Sequence, residues 1–182
     1  MFQKLLKKIA NELSAHNIPY MVIGGQAVLL YGEPRLTKDI DITLGVGVSK
    51  LNEINSIVEK LNLKILVDEK FVQKTMVLLV IDEKTGIRVD FIFSFSLYEK
   101  QAIKRATDIK FDNTIVKFAS LEDLIIHKII AGRAIDIEDI KSIVLKNPDY
   151  NTEYIKRWLQ KFDKSLNEKF LKVFKKIVKE IK

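Results

Sequence analysis

No cysteine occurs among the 182 residues, which excludes disulfides and thiolate metal sites. Histidine is scarce: His16 and His127 alone are present, too few for a multi-histidine zinc site. Any metal must therefore sit on carboxylates, the ligands of hard cations such as Mg2+ or Mn2+. No apolar run approaches the roughly 20 residues that a membrane-spanning helix needs. The first ten residues intersperse lysine with apolar side chains, whereas a signal peptide separates its charged part from its apolar part. The expectation is an N-terminal helix, no membrane association and a cytoplasmic protein.

What is present is an ordinary globular balance, 47% hydrophobic and 30% charged residues, enough for one domain with a real core and a helical annex. The formal charge is +7, and it is uneven: residues 151–182 hold ten basic and four acidic side chains, a net +6. Such a concentration suits a polyanionic partner or a solvated helix face.

Apolar periodicity divides the chain. Phe2, Leu5, Leu6, Ile9 and Leu13 predict a helix over 2–16. A buried strand follows at 20–23, between Pro19 and Gly24-Gly25, then a short helix over 26–31, stopped by Gly32 and Pro34. Residues 39–44 alternate polar and apolar, as a half-buried strand does. Ser49 is the expected N-cap of a helix to about Lys60, with a strand near 63–67. Runs 76–81 and 87–93, joined by a turn at 82–86, read as a hairpin, and 108–111 with 114–118 as another. Between them 97–106 reads as helical. From Ser120 onward only helices are expected: 120–131, 136–146, 151–163 and 165–181, the last with Leu166, Phe170, Phe174, Ile177 and Ile181 on one stripe. Tyr31, Phe71, Phe91, Phe93 and Tyr98 read as mostly core, with Tyr31 the candidate to touch a nucleobase.

The expected architecture is therefore α+β (α/β), a mixed sheet flanked by helices with a helical C-terminal half. The expected division is a catalytic core over 1–118 and a helical region over 119–182 packed on it.

Three carboxylates stand out by position. Asp39 and Asp41 are two apart on a strand and so share a face, with Ile40 and Ile42 on the other. Asp90 interrupts the apolar strand 87–93, where an ionised carboxylate is costly unless paired or bound to metal. Brought together, three such groups suit two-metal phosphoryl transfer. Gly24 and Gly25, at a strand–helix junction ahead of Gln26, let backbone N–H groups and a helix N-terminus approach phosphate. Arg35, Thr37 and Lys38 precede the Asp-x-Asp strand, where a cation could offset a departing pyrophosphate.

The block from Val22 to Gly32, followed by Arg35 to Asp41, resembles the nucleotidyltransferase superfamily typified by DNA polymerase beta, and within it the AbiEii-type toxins of type IV toxin–antitoxin systems. The resemblance implies a nucleotidyltransferase-like fold. It implies phosphate binding at Gly24 and Gly25, two Mg2+ ions (Mn2+ as the alternative) on Asp39 and Asp41, and completion of the site by Asp90. A later stretch, Leu124 to Arg133 followed by Asp136 and Asp139, resembles a further motif of these toxins. It implies that Lys128 meets the triphosphate with Arg133 and Asp139 in support, although Ile135 stands where that motif has a basic residue. The expected substrate is a nucleoside triphosphate. The expected acceptor is RNA, tRNA foremost, held through the basic C-terminal helices, with a cognate antitoxin as partner. Rival expectations are a small-molecule acceptor of the aminoglycoside type, a protein acceptor, and an inactive nucleotide- or RNA-binding module.

Overall fold

The computed structural model describes residues 2–94 and 96–181. The chain forms two compact units. One joins the residues up to Gln26 to Leu36–Ala119; the other joins Ala27–Arg35 to the residues from Ser120 onward.

The first unit is built on a seven-stranded mixed sheet: β1 (Tyr20–Ile23), β2 (Asp39–Leu44), β3 (Lys64–Ile65), β4 (Val77–Asp82), β5 (Ile87–Phe93), β6 (Thr107–Phe111) and β7 (Thr114–Phe118), in the order β3-β4-β5-β2-β1-β7-β6. The two sequence-adjacent pairs, β4–β5 and β6–β7, are the expected antiparallel hairpins. The pairs β2–β5 and β1–β7 are parallel, which makes the sheet mixed. Alternation decides the faces: Ile40 and Ile42 are fully buried, as are Val89 and Phe91, while Asp39, Asp41 and Asp90 keep partial exposure. The helix α1 (Phe2–Ala15) buries Leu5, Leu6, Ile9 and Leu13 at the three- and four-residue spacing of one face and packs against β7. Each such side chain contributes about 1.5–3 kcal/mol on burial.

Local chemistry places the remaining helices of this unit. In α5 (Leu97–Lys104) the Ser96 hydroxyl accepts from Glu99 N–H while Glu99 accepts from Ser96 N–H, a reciprocal cap that satisfies two end donors. Asp68 caps α4 (Glu69–Thr75), a helix absent from the sequence expectation. Ser49 is not a cap. It lies within a 3-10 turn (Val48–Lys50), and α3 (Leu51–Lys60) begins after it with no side-chain cap bond. Phe71, expected in the core, is 39% exposed on α4, whereas Phe91, Phe93 and Tyr98 are buried.

Between β1 and β2 lies α2 (Gly24–Tyr31), which starts two residues earlier than its sequence pattern predicts. The second unit is otherwise helical: α6 (Leu121–Ala131), α7 (Ala134–Lys146), α8 (Thr152–Leu166) and α9 (Phe170–Ile181). Ser120 caps α6 by accepting from Asp123 N–H, and Gly132 ends it in the left-handed conformation at φ +65°. Ile129, Ile140, Ile143, Ile155, Leu159, Phe174 and Ile177 are buried and fill this bundle. Leu166 does not join the α9 stripe: it closes α8, is 55% exposed, and is followed by Asn167 at φ +55°. Among the described residues no helix is long and apolar enough to cross a membrane.

Candidate active site

The parallel pairing of β2 with β5 sets Asp41 directly opposite Asp90 and Asp39 opposite Arg88. Residues opposite each other in a ladder share a face, so the sheet places three carboxylates on one side, as the sequence pattern predicts. On its other flank Asp90 faces Leu79 of β4. This position explains its acidity: burial pushes the Asp90 carboxyl above the usual range, the Asp39 charge pushes it further, and Arg88 offsets part of the rise.

Asp39 is held by two neighbours. The Thr37 hydroxyl donates to Oδ1 at 2.9 Å, and the Arg88 guanidinium lies 3.8 Å from Oδ2. The Asp41 carboxylate lies against Gly24. A Cβ built on Gly24 would overlap Asp41 Oδ2, and Gly24 also adopts φ +65°. Both facts require glycine at this turn. The Gly-Gly turn and the Asp-x-Asp strand are therefore in direct contact, as β1 pairs antiparallel with β2 and sets Ile23 opposite Asp41. Gly25 and Gln26 are buried in the first turn of α2. Lys38, next to Asp39, is exposed.

The second unit gathers the remaining candidates. Lys128, expected to face a triphosphate, is 3% exposed and lies between two buried carboxylates, 2.7 Å from Asp136 and 2.8 Å from Asp139. Its positive charge is thus matched within the unit. Asp139 also receives both Nε (2.8 Å) and Nη2 (3.0 Å) of Arg35. Asp136 receives Nε (2.7 Å) and Nη2 (3.1 Å) of Arg133. Such forked pairs fix a guanidinium in orientation as well as position. Burial pushes the Asp136 carboxyl up, but the bonds and charges of Arg133 and Lys128 outweigh it, and the group ends below the usual carboxylate range. Asp139 thus binds cations of its own chain.

Sequence reasoning missed Asp136 as the hub of this network. The signal was available: Arg133, Asp136 and Asp139 stand three apart, the spacing that puts side chains on one helical face. It also missed Arg88 as the counter-charge of Asp39, which only the register of β2 on β5 reveals.

Asp39, Asp41 and Asp90 are hard oxygen donors on one partly exposed face, the chemistry Mg2+ takes. They fit such an ion in donor type and in sharing one face. The expected tight convergence is not present: among the described residues no group of three or more Asp, Glu or His side chains stands close enough to hold a metal ion. The hydroxyl of Thr37 and the guanidinium of Arg88 orient Asp39 instead.

The model of a family described as "Nucleotidyltransferase of unknown function (DUF6036)" matches residues 2–181, and the chain belongs to that family. No protein of curated function matches it in sequence. Among solved structures it is similar to the antibiotic-resistance factor ANT(2'')-Ia in solution, at 19% identity over 90% of this chain and 92% of that one, TM-score 0.62. The complex of ANT(2'')-Ia with adenylyl-2''-tobramycin matches at 18% identity over 91% and 99%, TM-score 0.63. The lincosamide antibiotic adenylyltransferase LnuA, lincomycin-bound, matches at 19% identity over 77% and 94%, TM-score 0.55. A putative nucleotidyltransferase from Thermotoga maritima matches at 17% identity over 88% and 93%, TM-score 0.53. At these identities the likeness is one of fold. With the family match it makes the chain a nucleotidyl-transferring enzyme.

Proposed function

We propose that the enzyme moves a nucleoside monophosphate from a nucleoside triphosphate to an acceptor hydroxyl at the face formed by Asp39, Asp41 and Asp90. The single observation that carries this reading is the parallel register of Asp41 on Asp90, with Gly24 against Asp41. In the reaction the acceptor oxygen forms a bond to the α-phosphorus and the α–β bridging bond breaks. The bond pair leaves with pyrophosphate, and the hydroxyl proton passes to a base. Asp39, Asp41 and Asp90 would hold Mg2+, which when bound activates the acceptor hydroxyl and neutralises phosphate charge. Asp90, set opposite Asp41 on the same face, is the residue assigned to take the hydroxyl proton. Gly24 lets backbone approach the triphosphate, with Gly25 and Gln26 in the following turn. Lys38, exposed beside Asp39, offsets charge on the leaving pyrophosphate. Arg35, Arg133 and Asp139 order the second unit, with Lys128 as its buried linker.

RNA is the acceptor we infer, tRNA in the toxin-like reading, with an antitoxin as the protein partner. The net +6 of residues 151–182 and the resemblance of the Gly24–Asp41 block to AbiEii-type toxins support it. A small hydroxylated acceptor is the second reading, favoured by the similarity in fold to ANT(2'')-Ia over 91% of this chain and to LnuA over 77%. A polycationic acceptor such as an aminoglycoside is disfavoured by the +7 charge of the chain.

Incubation with Mg2+ and each nucleoside triphosphate, labelled at the α- or at the γ-phosphorus, tests the reaction against total RNA, hydroxylated antibiotics and protein extract. Transfer of the α-label alone supports nucleotidyl transfer, and the labelled pool names the acceptor class. Transfer of the γ-label would make the enzyme a kinase and overturn the proposal.

A further inference from the structure

The second unit carries a surface groove that the transfer chemistry does not use. Two adjoining hollows of about 320 Å3 and about 300 Å3 share Tyr150, Thr152 and Val178 and are bordered by residues of α9. The Tyr150 ring stands edge-on to Phe174, with centroids 6.4 Å apart and planes at 81°. Phe174 is buried, so Tyr150 is a partly exposed aromatic surface fixed from beneath. Lys156, Lys175 and Lys179 line the first hollow, and among the described residues no Asp or Glu lines either one. Lys175 and Lys179 stand four apart on α9, about 5–6 Å between Cβ atoms, so they form one cationic edge. Lys156 pairs with Glu153 at 2.9 Å.

We propose that this groove binds a single strand of RNA, with backbone phosphates along Lys175, Lys179 and Lys156 and a base against Tyr150. The inference rests on the RNA reading of the acceptor and assigns that reading a surface. A cationic track beside a fixed aromatic platform is the combination that single-strand binding requires, since every base has a π-face and every linkage a negative charge. An anionic membrane surface fits less well. The apolar stripe of α9 is turned inward, with Phe174 and Ile177 at 1% and 3% exposure, so that stripe is not free to enter lipid. A double helix fits less well because its bases are stacked away from Tyr150.

The test uses the full chain carrying Asp41→Asn without added metal, so that binding is measured apart from transfer. Fluorescence anisotropy follows a ~12-nucleotide single-stranded RNA, a length within the usual site size. With three phosphate contacts, log K should fall with log salt at a slope of about −2, and Lys175→Glu with Lys179→Glu should bring it to about −0.7 with affinity down roughly tenfold or more. Tyr150→Leu should weaken binding about tenfold at an unchanged slope, because it removes stacking and no charge. The control, Lys4→Glu with Lys70→Glu, makes the same charge change on exposed residues of the first unit. Thermal unfolding checks that each variant is folded. Equal loss in the two charge-reversal variants would overturn the groove, as would salt-independent binding, no binding at low salt, or tighter binding to phosphatidylglycerol vesicles or duplex RNA. RNA binding with these dependences, joined to a wild-type enzyme that labels only a small molecule, would keep the groove and remove RNA as acceptor.

Discussion

Replacing Lys128 with methionine isolates the buried charge network of the second unit. The stem is kept and the ammonium is lost, leaving Asp136 and Asp139 at 0% and 4% exposure without their shared cation. Removing one partner of a buried ion pair costs about 3–5 kcal/mol, mostly from the carboxylate left behind. Here Arg133 stays on Asp136 and Arg35 on Asp139, so the lower end, about 3 kcal/mol, is expected. Arg133→Ala is the contrast. That side chain is 68% exposed, Lys128 still serves Asp136, and the cost should be about 1 kcal/mol or less. Urea unfolding followed by Trp158 fluorescence reads the right unit, since Trp158 is the sole tryptophan and lies in α8. With a slope of about 2 kcal/mol per molar, the Lys128→Met midpoint should fall by about 1.5 M. Adding Asp136→Asn to Lys128→Met should recover part of the loss, a coupling of about 1–3 kcal/mol. If Lys128→Met cost no more than Arg133→Ala, the lysine would not be the linker between two buried acids.

Gly24→Ala should lower turnover about a hundredfold, because the new methyl displaces the Asp41 carboxylate; a variant with wild-type turnover would contradict the contact. The same change should cost about 1–2 kcal/mol in thermal unfolding, from the left-handed backbone. Asp136 gives an acid limb. Its folded carboxyl titrates below the unfolded one, so its contribution is complete above the unfolded value of about 4 and is lost as pH falls through the lowered folded value. Trp158 fluorescence during acid titration should show this, and Asp136→Asn should flatten the dependence below about pH 4. Tyr154→Phe deletes the 2.8 Å bond to buried Asp123 and should cost about 1–3 kcal/mol in the same urea assay.

Much of the first unit was legible because its signals are periodic. The alternation at 39–44 and the apolar run 87–93 flanking Asp90 gave both strands and the face of each acid, and glycine between β1 and α2 marked the turn. Strand order was not legible, since register depends on contacts between segments nearly fifty residues apart, such as Asp41 with Asp90. The helix α4 was missed because only Val72 of its seven residues is buried, which leaves no stripe to detect. Ser49 misled because a polar residue before an apolar run looks like a cap even inside a 3-10 turn. Lys128 is a different case. A lysine among apolar neighbours suggests a site, but its partners lie a turn and more beyond its own helix, and pairing with Asp136 and Asp139 answers its burial. The grouping of 27–35 with the helices after 120 has no sequence signal; bonds such as Asn147 Nδ2 to the Tyr31 carbonyl, 2.8 Å, create it.

Asp41 is where the glycine turn, the sheet register and the proposed chemistry meet. Its carboxylate is exchanged for an amide of the same shape in Asp41→Asn, which should unfold like the wild type. Pyrophosphate release from a nucleoside triphosphate, measured for both proteins with Mg2+ and the acceptor pool that takes the α-label, is the direct measurement. The account predicts release by the wild type and none above background from a folded Asp41→Asn protein; equal release by the two would remove the three-carboxylate face as the site of transfer.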